Sequence, residues 1–259
     1  MILTDVWTWL TNGENWEGEG GIANRLLEHL TYTGLTMVFA VAIAIPLGTW
    51  IAHSGRGAWM ITVANSARAI PSLGLLLVLV MWLQPKFQGE TNLGFLLPSV
   101  VALVVLALPP LLAGAYSGVS EVNPAARDAA TGMGMTGREV FFKVELPCAL
   151  PLISSGIRSA TLQVVATATI AAFTGLGGLG RYVIDGRQTS QPDMMIGGAI
   201  LVALLALSLE LILATIQRFV VSPGLGGRAR RGPRTSDAAD VDSSHPTPPA
   251  AATREQASV

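Results

Sequence analysis

Read for its apolar and polar positions alone, the 259-residue chain divides into five long apolar blocks and one long polar interval. The blocks run from about His29 to Ala52, Ala58 to Leu83, Leu93 to Tyr116, Ala149 to Phe173 and Met194 to Phe219. Each is long enough, as a helix, to cross a hydrocarbon core, which takes ~20 residues. The polar interval, Glu121 to Pro147, reads EVNPAARDAATGMGMTGREVFFKVELP. Asn123 before Pro124 is a helix N-cap with proline at the first helical position, where its missing N–H costs nothing. Thr136 and Glu139 have the spacing of a capping box, and Pro147 is expected to stop the helix that follows. Gly132, Gly134 and Gly137 lie between these signals and favour a bend. The pattern predicts a short helix, a glycine elbow and a second short helix on one face of a membrane. Such a knob is shaped to be gripped from the water.

Composition points the same way. The chain is 51% hydrophobic and 13% charged, with a mean hydropathy of +0.52, whereas soluble domains carry roughly 25% charged residues. Five crossings put the two ends on opposite sides. With the C-terminus inside, Arg56, Arg127, Arg138, Lys143, Arg218, Arg228, Arg230, Arg231 and Arg234 face the cytoplasm. Arg25, Lys86, Arg181 and Arg187 then lie outside, an asymmetry of the expected sign. Trp50 and Trp59 fall near the inner interface and Trp82 near the outer one, as anchoring aromatics do. The fold class expected is an all-α integral membrane protein of about five transmembrane helices. Its N-terminus is outside, its C-terminus cytoplasmic, and its two-helix loop cytoplasmic.

Three regions follow. Residues 1–28 form an extracytoplasmic or interfacial segment with no cleavable signal pattern, too short an apolar run to span. Residues 29–219 form the transmembrane domain, with the loop at 121–147. Residues 222–259 read as a disordered cytoplasmic tail, whose RARRGPR run serves as an orientation signal or attracts anionic lipid.

The chemistry of an enzyme is missing. His29, His53 and His245 pair with no carboxylate at metal-ligand spacing, and the single Cys148 excludes both an intramolecular disulfide and a cysteine zinc site. Gly132-Gly134-Gly137 and Gly175-Gly177-Gly180 match G-x-G-x-x-G, but neither follows a strand within a βαβ unit, so neither is a nucleotide site. The two lysines follow Pro85 and Phe142, so no phosphate-binding Walker loop exists. No catalytic residue, metal, cofactor or nucleic acid is expected.

Charge inside the apolar blocks is costly and faces protein or water. Arg68, Arg158 and Glu210 lie at matching depth, so Glu210 has two candidate partners, Arg158 and Arg68. The fourth block interleaves Ser154, Ser155, Ser159, Thr161, Gln163, Thr167 and Thr169 with alanine, a texture that suits close packing or a hydrated route. Pro46, Pro71, Pro109 and Pro110 mark bends. The candidate route or intramembrane pair comprises Arg68, Pro71, Ser72, Arg158, Thr161, Gln163 and Glu210.

The polar interval resembles the EAA loop of ATP-binding-cassette importer permeases. Asp128-Ala129-Ala130 stands for the acid and two alanines, then come Gly134 and Val144-Glu145-Leu146-Pro147. Aspartate replaces the usual glutamate and valine the usual isoleucine. Ile70-Pro-Ser-Leu-Gly-Leu-Leu, Gly132-Met-Gly-Met-Thr, Leu150-Pro, Gly156-Ile-Arg-Ser-Ala-Thr and Gly175-Leu-Gly-Gly-Leu-Gly look like the osmoprotectant branch, over about residues 29 to 219. Arg68 departs from that branch, which more often has an uncharged polar residue there. If the position lines the route, its fixed charge weighs against a cationic substrate such as choline.

The resemblance implies a bacterial plasma-membrane permease of the type I importer fold. Its partners would be a cytoplasmic ATPase dimer holding ATP and Mg, a second copy or sister permease, and an extracytoplasmic binding protein. The cargo implied is glycine betaine, choline, carnitine or proline betaine, carried by alternating access. Another small solute such as methionine, an amino acid or a sulfonate is the alternative, and a secondary transporter a more distant one. Docking of the ATPase falls to Asp128, Ala129, Ala130, Gly134, Arg138, Leu146 and Pro147. Phe141 and Phe142 either seat the knob or pack back on the bundle.

Overall fold

The computed structural model describes residues 2–87 and 93–221, and every regular element among them is helical. The tail read from the sequence at 222–259 lies outside the described residues. The helices are α1 (Ile2–Thr11), α2 (Ile22–Ser54), α3 (Ala58–Ser66), α4 (Ser72–Leu83) and α5 (Leu93–Ser120). They continue as α6 (Pro124–Gly132), α7 (Gly137–Val140), α8 (Leu146–Ala171), α9 (Gly180–Gln188) and α10 (Pro192–Val220). Four stretches are long and apolar enough to cross a membrane: Ile22–Ser54, Gly94–Ser120, Gly137–Thr174 and Pro192–Val220. A fifth exists if Ala58–Ala69 and Ser72–Lys86 count as one span, broken by a 94° bend.

That break falls at Ile70–Pro71. The proline ring drives the residue before it out of the helical region, and Ile70 is extended at φ −70°, ψ 127°. Pro46, Pro109 and Pro110 instead lie inside unbroken helices. Pro147 does not stop its helix, contrary to the sequence expectation. Phe141–Glu145 widen into a π-helical turn in which Leu146 N–H reaches Phe141 O, and α8 runs on from there. The wider turn gives the ring, near the first positions of α8, the room that a regular α-turn denies it. The second short helix of the elbow is therefore the start of a span.

The bundle centres on α2, α5 and α8, whose contact is made by small residues. Ala40, Ala44, Ala107, Leu111, Ala160 and Val164 form one buried cluster, and Ala115, Val119, Ala149 and Ile153 a second. The backbones nearly touch. A Cβ on Gly114 would lie 2.8 Å from Leu152 O and 2.9 Å from Gly156 Cα, and one on Gly48 would lie 2.7 Å from the Cβ of Ala115. Close approach of this kind replaces the hydrophobic drive that lipid removes. By contrast α10 turns Leu204, Leu207, Leu211, Ile212, Ile216 and Phe219 outward. Such an apolar surface suits lipid rather than water.

The N-terminal segment holds the ten-residue helix α1, too short to cross. It lies against α10, with Trp9 over Gly197 and edge-on to Tyr182 at 5.2 Å.

Gly114→Val places branched carbon where the α8 backbone already stands. The purified protein in detergent should lose about 2–3 kcal/mol of stability, read as a Tm lower by several degrees. An unchanged Tm contradicts the close α5–α8 contact.

Candidate functional site: an elbow, its anchor and a polar groove

The elbow begins as the sequence predicts. Asn123 Oδ1 accepts from Ala125 N–H at 2.9 Å, with Pro124 opening α6. Both halves of the Thr136–Glu139 capping box form. Of the three glycines between, only Gly134 uses the left-handed region, at φ +85°, where a Cβ is strained. Asp128, Ala129, Gly134 and Arg138 are exposed, Ala130 is buried, and Leu146 and Pro147 are half-buried. Phe141 packs back onto the Ala115–Ile153 cluster, whereas Phe142 is 58% exposed. Phe141 thus packs back on the bundle, one of its two expected roles.

Glu139 is part-exposed; the Lys143 ammonium donates to it at 2.9 Å, and Thr136 adds backbone N–H and hydroxyl donors.

The elbow is fastened by a residue that sequence reasoning passed over. Glu145 is 1% exposed. Its Oε1 lies 2.8 Å from Arg127 Nε of α6, an ion pair whose N–H points too obliquely for a hydrogen bond. Its Oε2 accepts from His53 Nδ1, at the end of α2, at 3.1 Å. Arg127 also donates to the Val119 carbonyl near the end of α5. One carboxylate thus ties the elbow to the ends of two spans and the start of a third. No local pattern marks this: His53 is 92 residues away, and Glu145 occupies the variable slot of the hydrophobic-x-Leu-Pro run.

At the opposite end of the bundle a second acid does similar work. Glu28 of α2 accepts from Gly178 N–H at 2.7 Å and pairs with Arg25 at 2.9 Å. Gly177 and Gly178 lie against Glu28 and His29 so closely that a Cβ on Gly177 would fall 2.2 Å from the carboxylate. The second G-x-G-x-x-G run therefore serves as a clamped turn between α8 and α9. It binds the chain to itself.

The candidate route residues do not share one place. Glu210 of α10 pairs with Arg158 of α8 and not with Arg68. Gln217 supports the pair, accepting from Arg158 at 2.8 Å and donating to Pro151 O at 3.2 Å. Thr161 bonds back to Ile157 O and faces an apolar groove between α2, α8 and α10. Pro71 and Ser72 form the break and the start of α4. Arg68 and Gln163 come together elsewhere, in a polar groove of about 300 Å³. Its walls are Pro110, Ala113, Gly114 and Ser117 of α5 and Leu152, Ser155, Gly156 and Ser159 of α8. Among the described residues no cluster of acids, histidines and cysteine suits a metal ion.

Residues 44–222 match the family model described as "Binding-protein-dependent transport system inner membrane component". The chain belongs to this family. Among curated relatives, a glycine betaine/carnitine/choline transport system permease protein of Bacillus subtilis (strain 168) is 35% identical over 80% of this chain and 92% of its own length. A choline transport system permease protein of the same organism is 33% identical, over 80% and 91%. An osmoprotectant import permease protein of Salmonella typhimurium (strain LT2) is 31% identical, over 81% and 96%. Among solved structures, an inward-facing form of the MetNI methionine ABC transporter superposes with a TM-score of 0.66 at 22% identity, over 78% of this chain and 96% of that one. This last likeness shows the fold alone, that of the matched chain of an ABC transporter. Arg68, Glu145 and the elbow thus lie within the residues that the permease family model matches.

Glu145→Gln should lower the Tm of the permease by about 5 °C, since it strips half-buried Arg127 of its counter-charge. The Arg127→Gln/Glu145→Gln double variant should fall no further than the worse single. Additive losses would mean that the two residues act independently.

Proposed function

We propose that this chain is the membrane subunit of an ATP-driven importer of quaternary-ammonium osmoprotectants, the class named for its relatives: glycine betaine, carnitine and choline. It forms the route; it does not itself hydrolyse ATP. Its partners are a cytoplasmic ATPase pair, a second permease copy or sister, and an extracytoplasmic binding protein, in the bacterial plasma membrane.

The observation that carries this reading is the elbow. It projects Asp128, Gly134, Arg138 and Phe142 from one end of the bundle while Glu145 and Arg127 fasten its base to α2, α5 and α8. A surface knob that is rigidly joined to three spans transmits force, and a knob serving only as a cap needs no such tie. The basic residues Arg127, Arg138 and Lys143 cluster at this end, which favours the cytoplasmic side, with the N-terminus outside. ATP-driven closure of the ATPase pair then moves the elbow, and the spans follow.

The test is uptake by proteoliposomes holding the permease, its ATPase and the binding protein. Radiolabelled glycine betaine should enter in an ATP-dependent, vanadate-sensitive manner. Gly134→Glu forces a side chain into positive φ on the exposed elbow, and should cut uptake at least about tenfold. Normal uptake by that variant contradicts the docking role.

A further inference from the structure

The polar groove has a distinctive donor set. Arg68 sits at the broken end of α3 and faces Ser117, Ser155, Ser159 and Gln163 across the groove. None of the lining residues is acidic and none is aromatic. Among the described residues no carboxylate pairs with Arg68, whereas Arg158, deep in another apolar block, is occupied by Glu210. The hydroxyls are also available. Thr161, Thr167 and Thr169 of α8 bond back to their own helix, while Ser155 and Ser159 on the groove face are exposed. Gln163 donates its amide N–H to Leu106 O at 2.9 Å, which fixes the side chain at the groove wall.

This set suits one end of a zwitterion and not the other. A guanidinium with neighbouring hydroxyls binds a carboxylate through charge-assisted hydrogen bonds. A quaternary ammonium is held by aromatic faces or acids, and the groove has neither. A volume of about 300 Å³ equals that of about ten waters at ~30 Å³ each, enough for a small solute with part of its hydration shell. We infer that Arg68 selects cargo by its carboxylate, so that this importer carries carboxylate-bearing betaines such as glycine betaine or carnitine in preference to the cation choline. The inference rests on the importer reading above and narrows its substrate class. Choline offers the groove only a hydroxyl, and its charge is repelled by Arg68.

The test compares uptake of radiolabelled glycine betaine and choline by the complete importer in proteoliposomes, with parent, Arg68→Gln and Arg68→Lys permeases and one binding protein throughout. Because the binding protein is common to all arms, a change in the betaine-to-choline ratio belongs to the permease. The parent should favour glycine betaine. Arg68→Gln should lower glycine betaine uptake about tenfold or more, the worth of a charged hydrogen bond, without lowering choline uptake. Arg68→Lys, which keeps the charge, should restore most of the glycine betaine rate. Equal parental uptake of both solutes, or an equal fall in both with Arg68→Gln, overturns selection by Arg68 and leaves the importer reading standing. So does no change in either. ATP-dependent uptake of neither solute by the parent overturns the importer reading itself, and the inference with it.

Discussion

Burying a carboxylate costs several kcal/mol unless opposite charge and hydrogen bonds replace the lost water. Glu145 is buried in this way, and the groups that make its burial tolerable come from α6 and α2. Neither Arg127 nor His53 can leave without exposing that cost. The elbow is consequently held by a penalty on its detachment as well as by its own contacts. The π-turn at Phe141–Glu145 brings this carboxylate to the head of α8 and seats Phe141 among Ala115, Val119 and Ile153. A regular α-turn there would meet the ring of Pro147. The proline that a sequence reading treats as a stop is thus accommodated in the same turn that carries the anchor.

Above the anchor, α2, α5 and α8 pack backbone to backbone through Gly48, Gly114, Gly118 and Gly156. Contacts this close leave no room for one helix to slide past another without a clash. Glu28 closes the other end by holding the Gly175–Gly180 turn. Three helices tied at both ends behave as one body. The outer helix α10 joins that body differently, through the Arg158–Glu210 pair and Gln217. Arg158 Nε and Glu210 Oε2 are buried there without a partner. That pair orients α10 more than it stabilises it.

Much of this was legible in the sequence, and the limit has a physical form. The caps at Asn123 and Thr136 depend on residues two or three positions apart, so local spacing reveals them. The apolar blocks depend on membrane thickness, and four of them became long helices. Glu210 was expected to meet an arginine; depth alone left Arg158 and Arg68 equal, and only the rotation of each helix chose between them. Glu145 and Glu28 were missed because their partners lie far along the chain, His53 at 92 residues and Gly178 at 150. Lone acids near the end of a span look solvated until the fold brings a second segment over them. The break at Pro71 was legible as a bend, but its 94° angle belongs to tertiary packing.

The location of the break gives it a consequence for the groove. Arg68 stands on the last turn before Ile70–Pro71, outside the α2–α5–α8 body, while the serines and Gln163 belong to that body. The groove therefore has one wall on the α5–α8 contact and its charge on the segment that ends at the break, whose Ile61 and Ala64 pack on the same core. Under the importer proposal a displacement of the elbow passes through Glu145 to that body, and among the described residues no hydrogen bond or ion pair joins Glu145 or its partners to Arg68. Relative movement of the two walls changes the distance between the guanidinium and the hydroxyls with no side chain leaving its rotamer. A carboxylate held between them would be gripped in one arrangement and released in another. A membrane subunit driven by a partner, as proposed above, can work on a solute in that way.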